Sequence, residues 1–223
     1  EKQGDAPQRI VGMVAGTILF LLNFAIVSDA LRSWGPDRAI LSCAVYVLVS
    51  LPAMFILELF RKSSRPAANI GTTLAAIAYV AMPLSLMCYF PLLGTNGWDS
   101  RTVIFFIFII WANDVFAYLV GMSIGRHKLF ERLSPKKSWE GFFGGLLGAV
   151  AMGFVAAYVL DASRAMWIGL ALIAAVTGVL GDLAESMLKR AAGVKDSGSL
   201  IPGHGGVLDR FDALLLATPF VFV

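Results

Sequence analysis

Asp182, Glu185, Ser186 and Lys189 fall at i, i+3, i+4 and i+7, so a helix through them presents all four on one face. Further along, Asp209 and Asp212 sit at i and i+3 and share a face of any helix that starts near Gly206. The loop between runs from Gly193 to Gly206 and carries Gly193, Gly198, Gly203, Gly205 and Gly206. Glycine lets a backbone come close to a ligand, and successive N–H groups in such a loop can form an anion nest. No G-x-x-x-x-G-K-[ST] phosphate loop is present, but Lys189, Arg190, Lys195 and Arg210 beside the glycines point to phosphate. Carboxylates suit Mg²⁺, which commonly takes one or two of them together with substrate phosphates. Asp182 and Asp209 are therefore expected to face each other across a shared ion. His204 is a phosphate donor, a general acid or a turn residue; a binding or structural role is preferred, because a metal-bound diphosphate leaves with little acid help. Taken singly, these features also fit a snorkelling helix end, a polar turn and a pair of helix caps. The whole run does not.

The elements that must position this cluster lie in a membrane. Of the 223 residues 58% are hydrophobic and 15% charged, against roughly 45–50% and about 25% in soluble domains. Apolar stretches at 10–28, 39–60, 70–93, 102–122, 140–160, 165–181 and 211–223 give about seven transmembrane helices, the last too short to cross. The fold class is all-α, a polytopic membrane helical bundle. It forms one integral-membrane domain over 1–223, with N-terminal helices in 1–101 and catalytic helices and loops in 102–223. Strands are not expected, since no alternating ten-residue pattern appears. Alternate connections carry 14 of the 18 Lys and Arg, leaving Arg32, Arg38, Arg101 and Arg164 on the other side. The bias puts the N-terminus and the polar cluster on the cytoplasmic side. The net charge of +3 says little about partners. Residues 1–9 are polar and show no signal-peptide pattern. Cys43 and Cys88 lie in apolar segments and read as small packing residues with no disulfide framework. Glu58, just before Arg61 and Lys62, reads as an interfacial charge. Gly141, Gly144, Gly145, Gly148 and Gly153 read as a surface for close helix packing.

The run from Ser186 to Asp212, S-x-x-K-R-x4-K-D-x-G-x2-I-P-x-H-G-G-x-x-D-R-x-D, resembles the signature of phosphatidate cytidylyltransferases, also called CDP-diacylglycerol synthases. Three upstream elements resemble the same family: Asn113-Asp114-Val-Phe-Ala117-Tyr118, Gly125-Arg126-His127-Lys128-Leu129 and Ser134-Pro-Lys136-Lys137-Ser-Trp139-Glu140-Gly141. The resemblance covers residues 111–212 and does not extend to the first three spans. It implies a dimeric, helical membrane enzyme, sited in a bacterial inner membrane, that converts CTP and phosphatidate to CDP-diacylglycerol and diphosphate with Mg²⁺. A second cation, such as K⁺, belongs to the same implication. The metal carboxylates match Asp182 and Asp209. With the charge pattern, the resemblance makes Lys189, Asp196, Asp212 and Ser186 the catalytic candidates. The substrate-binding candidates are Asp114, Lys136, Lys137, Trp139, Glu140, Arg190, Lys195, His204, Gly205, Gly206 and Arg210. Asp114, late in the fourth span, needs a neighbour such as Lys136 or the metal cluster, because an unpartnered charge there is expensive. Membrane lipid is an implied partner and nucleic acid is not.

Other readings are weaker. A transporter fits the polytopic architecture and Asp114, but the charges gather on one side and no inverted repeat is apparent. A CTP-dependent lipid kinase would release CDP instead of diphosphate. A CDP-alcohol phosphotransferase would carry D-G-x2-A-R-x8-G-x3-D-x3-D, which is absent. A non-catalytic scaffold has no use for so many clustered phosphate-binding groups.

Overall fold

The computed structural model describes residues 6–28, 35–93, 97–198 and 206–222. They form two compact units, one up to Tyr89 and one from Phe90 onward. Six helices are long and apolar enough to cross a membrane. With the shorter C-terminal helix the described residues hold seven, as the apolar periodicity anticipates, provided the broken third helix counts as one.

The first unit contains α1 (Arg9–Val27), α2 (Gly35–Arg61) and, as far as Tyr89, a third apolar run, Pro66–Leu92, that changes helical type along its length. That run begins as α3 (Pro66–Ala76), widens into a π-helical turn (Ile77–Ala81), and resumes as α4 (Met82–Leu86). A 3₁₀ turn, Met87–Leu92, follows. Pro66 opens α3 at a position where its missing N–H costs nothing. Glu58, near the end of α2 and paired with Arg61, is enclosed by protein: it is 4% exposed. Its carboxylate accepts from Gln8 Nε2 at 2.7 Å, Asn69 Nδ2 at 2.7 Å and Arg61 Nη1 at 2.8 Å. Burial is tolerated because every partner it needs converges from the ends of α1, α2 and α3. Cys43 and Cys88 are free and half-buried.

In the second unit α5 (Arg101–Ile124) leads into an antiparallel hairpin, β1 (Lys128–Phe130) and β2 (Ser134–Ser138). Hydropathy did not suggest these strands: they lie in the polar connection, outside the apolar runs. Ser138 then caps α6 (Trp139–Val159), its Oγ accepting from Gly141 N at 3.1 Å. The α6 glycines do pack closely on α5. A methyl group on Gly145 would lie 2.7 Å from the Asn113 carbonyl oxygen, and one on Gly148 would lie 2.6 Å from the Phe116 ring.

The next helix, α7 (Arg164–Ala191), runs unbroken from the apolar segment through Asp182, Glu185 and Lys189. It stops in a Schellman turn. Gly193 takes φ +65°, Val194 N donates to Lys189 O at 2.9 Å, and Gly193 N donates to Arg190 O at 3.1 Å. The final helix, α8 (Leu208–Val221), returns along α7. Their crossing is tight at Gly181, where an added methyl would lie 2.6 Å from the Asp212 carbonyl oxygen. No side chain separates the two backbones at that level.

Candidate active site

The tight α7–α8 crossing places Asp212 beside the α7 acids. Asp182, Glu185 and Asp212 each offer a carboxylate oxygen, and these oxygens lie within 4.8 Å of one another. Glu185 is the most enclosed, at 1% exposed. Its Oε2 accepts from Lys189 Nζ at 2.8 Å, whereas its buried Oε1 has no hydrogen-bond partner.

Lys189 is shared. Its ammonium also donates to Asp209 Oδ1 at 2.7 Å. Asp209 in turn accepts from Ser197 N at 2.9 Å, Ser197 Oγ at 2.8 Å and Gly206 N at 2.7 Å. Burial alone would raise the Asp209 carboxyl. The Lys189 ammonium and the donors from Gly206 and Ser197 outweigh burial and hold it well below the usual carboxylate range. Asp209 thereby ties both flanks of the glycine loop to the end of α7.

The hairpin supplies the other cation. Lys137 forms an ion pair with Asp182, and Asp114 on α5 is close enough to feel the charges of both. Asp114 thus has the neighbours that its place in the span demands, although its cationic neighbour is Lys137 and not Lys136. Lys136 and Trp139 are exposed. Glu140 turns back on the connection, accepting from Arg126 N at 3.1 Å and contacting His127 Nδ1 at 2.6 Å. This contact fixes the base of the hairpin that carries Lys137.

The expected residues fall into three groups. Asp114, Lys137, Asp182, Lys189, Asp209 and Asp212 form one connected cluster, with Ser186 half-buried on the same helix. Arg190, Lys195, Asp196 and Arg210 are exposed around the loop, whereas Gly206 is buried at its end. His204 and Gly205 lie outside the described residues. The structure brings Asp182 together with Glu185 and Asp212, while Asp209 engages Lys189 and the loop. Spacing puts Glu185 on the reactive face, but the metal, catalytic and substrate-binding candidates do not include it. Its spacing from Asp182 and Lys189, i+3 and i+4, was the available signal.

Four carboxylates, those of Asp182, Glu185, Asp209 and Asp212, are met by two ammonium groups, those of Lys137 and Lys189. Like charges this close strongly disfavour one another. A buried carboxylate oxygen with no donor is also costly, by about 1–3 kcal/mol or more. Both problems are relieved by a hard divalent cation among Asp182, Glu185 and Asp212, so the donor set fits Mg²⁺.

Carboxylates of α7 and α8 and lysines of α7 and the hairpin thus gather in one polar cluster, and sequence comparison gives the lineage of the chain. The chain belongs to the cytidylyltransferase family, whose model matches residues 5–223. It is similar to a phosphatidate cytidylyltransferase of Staphylococcus aureus (strain COL), at 39% identity over 150 residues, covering 66% of this chain and 56% of the relative. A phosphatidate cytidylyltransferase of Brucella abortus biovar 1 (strain 9-941) is 40% identical over 146 residues, covering 65% and 52%. The aligned part of the chain thus spans about half the length of these relatives.

Proposed function

We propose that the protein transfers CMP from CTP to phosphatidate, giving CDP-diacylglycerol and diphosphate. The observation that carries this reading is the Asp182–Glu185–Asp212 cluster with its unpartnered buried oxygen, flanked by Lys137 and Lys189. Family membership and the names of the relatives support it.

In the reaction a phosphate oxygen of phosphatidate attacks the α-phosphorus of CTP. The new P–O bond forms as the bond from the α-phosphorus to the bridging oxygen breaks, and diphosphate carries away the electron pair. The lipid phosphate needs little deprotonation at neutral pH, so the main obstacle is the approach of two polyanions. Mg²⁺, held by Asp182, Glu185 and Asp212, would supply charge neutralisation at the phosphates. Lys137 and Lys189 are placed to add theirs by exchanging a carboxylate for a phosphate oxygen. Asp209 steadies the glycine loop, whose N–H groups and neighbouring Lys195 and Arg210 are suited to anions. Asp114 orients Lys137. A site at the membrane boundary lets the lipid keep its chains in the bilayer while its headgroup reaches the acids, which reduces the entropic cost of meeting.

The cation distribution supports a site facing the cytoplasm, where nucleoside triphosphates are available, and the bacterial relatives support a bacterial inner membrane. The test is to incubate the full purified protein with labelled CTP, phosphatidate and Mg²⁺. Equal amounts of liponucleotide and diphosphate are expected. Release of CDP with a phosphorylated lipid, or movement of substrate across a vesicle without CTP, would replace this reading.

A further inference from the structure

Lys137 and Lys189 meet the acids in different ways. Lys189 is held on two sides: its ammonium donates to Glu185 Oε2 at 2.8 Å, one turn back on its own helix, and to Asp209 Oδ1 at 2.7 Å on α8. Loss of one carboxylate leaves it the other. Lys137 comes from the hairpin and, among the described residues, has one ion-pair partner, Asp182. That pair is partly open to solvent, with the lysine side chain 26% and the aspartate side chain 37% exposed. Open pairs of this kind are weak.

The backbone beside Lys137 is anchored. Ser138 caps α6, Trp139 N donates to His127 O at 2.9 Å, and Glu140 accepts from Arg126 N across the base of the hairpin. The side chain has more freedom, because a four-carbon stem lets the ammonium swing without moving the strand. Asp114 on α5 also feels its charge, so an ammonium that leaves Asp182 keeps an anionic neighbour.

Asp182 is claimed twice. It belongs with Glu185 and Asp212 to the set of carboxylates suited to Mg²⁺, and its Oδ2 holds the Lys137 ammonium. A divalent ion repels an ammonium about twice as strongly as a monovalent ion at the same distance. The weaker claimant yields, and the weaker claimant is the lysine with a single, solvent-exposed partner.

We propose that Lys137 is an exchangeable counter-cation of Asp182: Mg²⁺ displaces its ammonium from the carboxylate, and the released ammonium receives a substrate phosphate. This rests on the reaction proposed above. Metal binding then prepares the site for phosphate, and by linkage each ligand raises the affinity for the other.

The experiment measures Mg²⁺ binding to the full purified protein in detergent by titration calorimetry, without CTP or phosphatidate. Lys137→Met should bind Mg²⁺ about fivefold more tightly than the native protein, because the ion no longer competes with an ammonium held by one open pair. Lys137→Arg keeps the charge and should stay near native. Lys136→Met, in the same hairpin, should shift affinity much less. Amine acylation read by mass spectrometry reports the displacement in the native protein: Mg²⁺ should raise labelling of Lys137 severalfold over chelator and leave Lys189 unchanged. Equal or weaker Mg²⁺ binding by folded Lys137→Met, or Lys137 labelling that Mg²⁺ does not change, would overturn the exchange and leave the proposed reaction standing. An equal gain from Lys136→Met would also overturn it, as an effect of net charge alone. Absence of Mg²⁺ binding in the native protein and every variant would overturn the metal site on which both readings rest.

Discussion

Replacing Asp212 with Asn should stabilise the protein without metal while removing its response to metal. The carboxylate oxygens of Asp182, Glu185 and Asp212 lie within 4.8 Å of one another. At that distance a like-charge pair costs about 3.5 kcal/mol at an effective dielectric constant of about 20. Lys137 and Lys189 offset part of the field of Asp182 and Glu185, and Asp212 is only half-buried. The relief expected from Asp212→Asn is therefore about 1–2 kcal/mol, or roughly 2–8 °C in Tm for a chain of this size. With Mg²⁺ the order should reverse. The native protein gains about 2.7 kcal/mol when Mg²⁺ is at about a hundred times its dissociation constant, and the variant gains much less. The assay is thermal unfolding in detergent at about pH 8.5, where carboxyls are ionised, first in chelator and then along a Mg²⁺ titration, with CTP turnover measured in parallel. If Asp212→Asn is less stable than the native protein in chelator, or gains as much from Mg²⁺, the carboxylates do not form a cation site and the argument fails.

Lys189→Met should cost about 3–5 kcal/mol, because it leaves the buried Glu185 uncompensated and takes from Asp209 its only cationic partner among the described residues; denaturant unfolding measures this, and a loss below about 1 kcal/mol would make the bridge unimportant. Asp209→Asn should retain membrane insertion and lose nearly all product formation, with near-normal turnover removing Asp209 from the site. The stability Asp209 contributes through its lowered pKa is present above the ordinary carboxylate pKa of about 3.9 and is lost only as pH falls through its depressed native value. The difference in unfolding free energy between native protein and Asp209→Asn should accordingly persist down to about pH 4 and shrink below it. Substituting Lys136 and Lys137 together should raise KM more than it alters unfolding, and Lys137→Ala alone should account for most of the change, since it is Lys137 that pairs with Asp182. Equal effects from the two single variants would argue against that division. Gly145→Ala should cost about 1–3 kcal/mol by forcing α5 and α6 apart at Asn113, and turnover should fall with it because Asp114 is the next residue.

Hydropathy made the spanning helices legible because each must carry a long apolar run, and helical spacing made the α7 face legible because i, i+3 and i+4 share a side. What spacing cannot report is which of two neighbouring aspartates a facing helix brings into register. Asp209 and Asp212 share a face of α8, yet the close approach at Gly181 sets Asp212 beside Asp182 and Glu185. Asp209, a turn earlier, reaches Lys189 and the loop. The hairpin escaped notice because its strands are short and polar, and their alternation is too brief to stand out. The burial of Glu58 was hidden for a similar reason: Gln8 and Asn69, which make it tolerable, are distant in sequence.

The glycine contact between α7 and α8 has a mechanical consequence. With no side chain to act as a spacer, the two backbones interlock at the level of the acids. Bilayers that thin or thicken are accommodated by helix tilt, and an interlocked pair leans as one strut. The distances among the three acids would then be insulated from lipid composition, which suits the proposed reaction, whose lipid product would change the membrane around it.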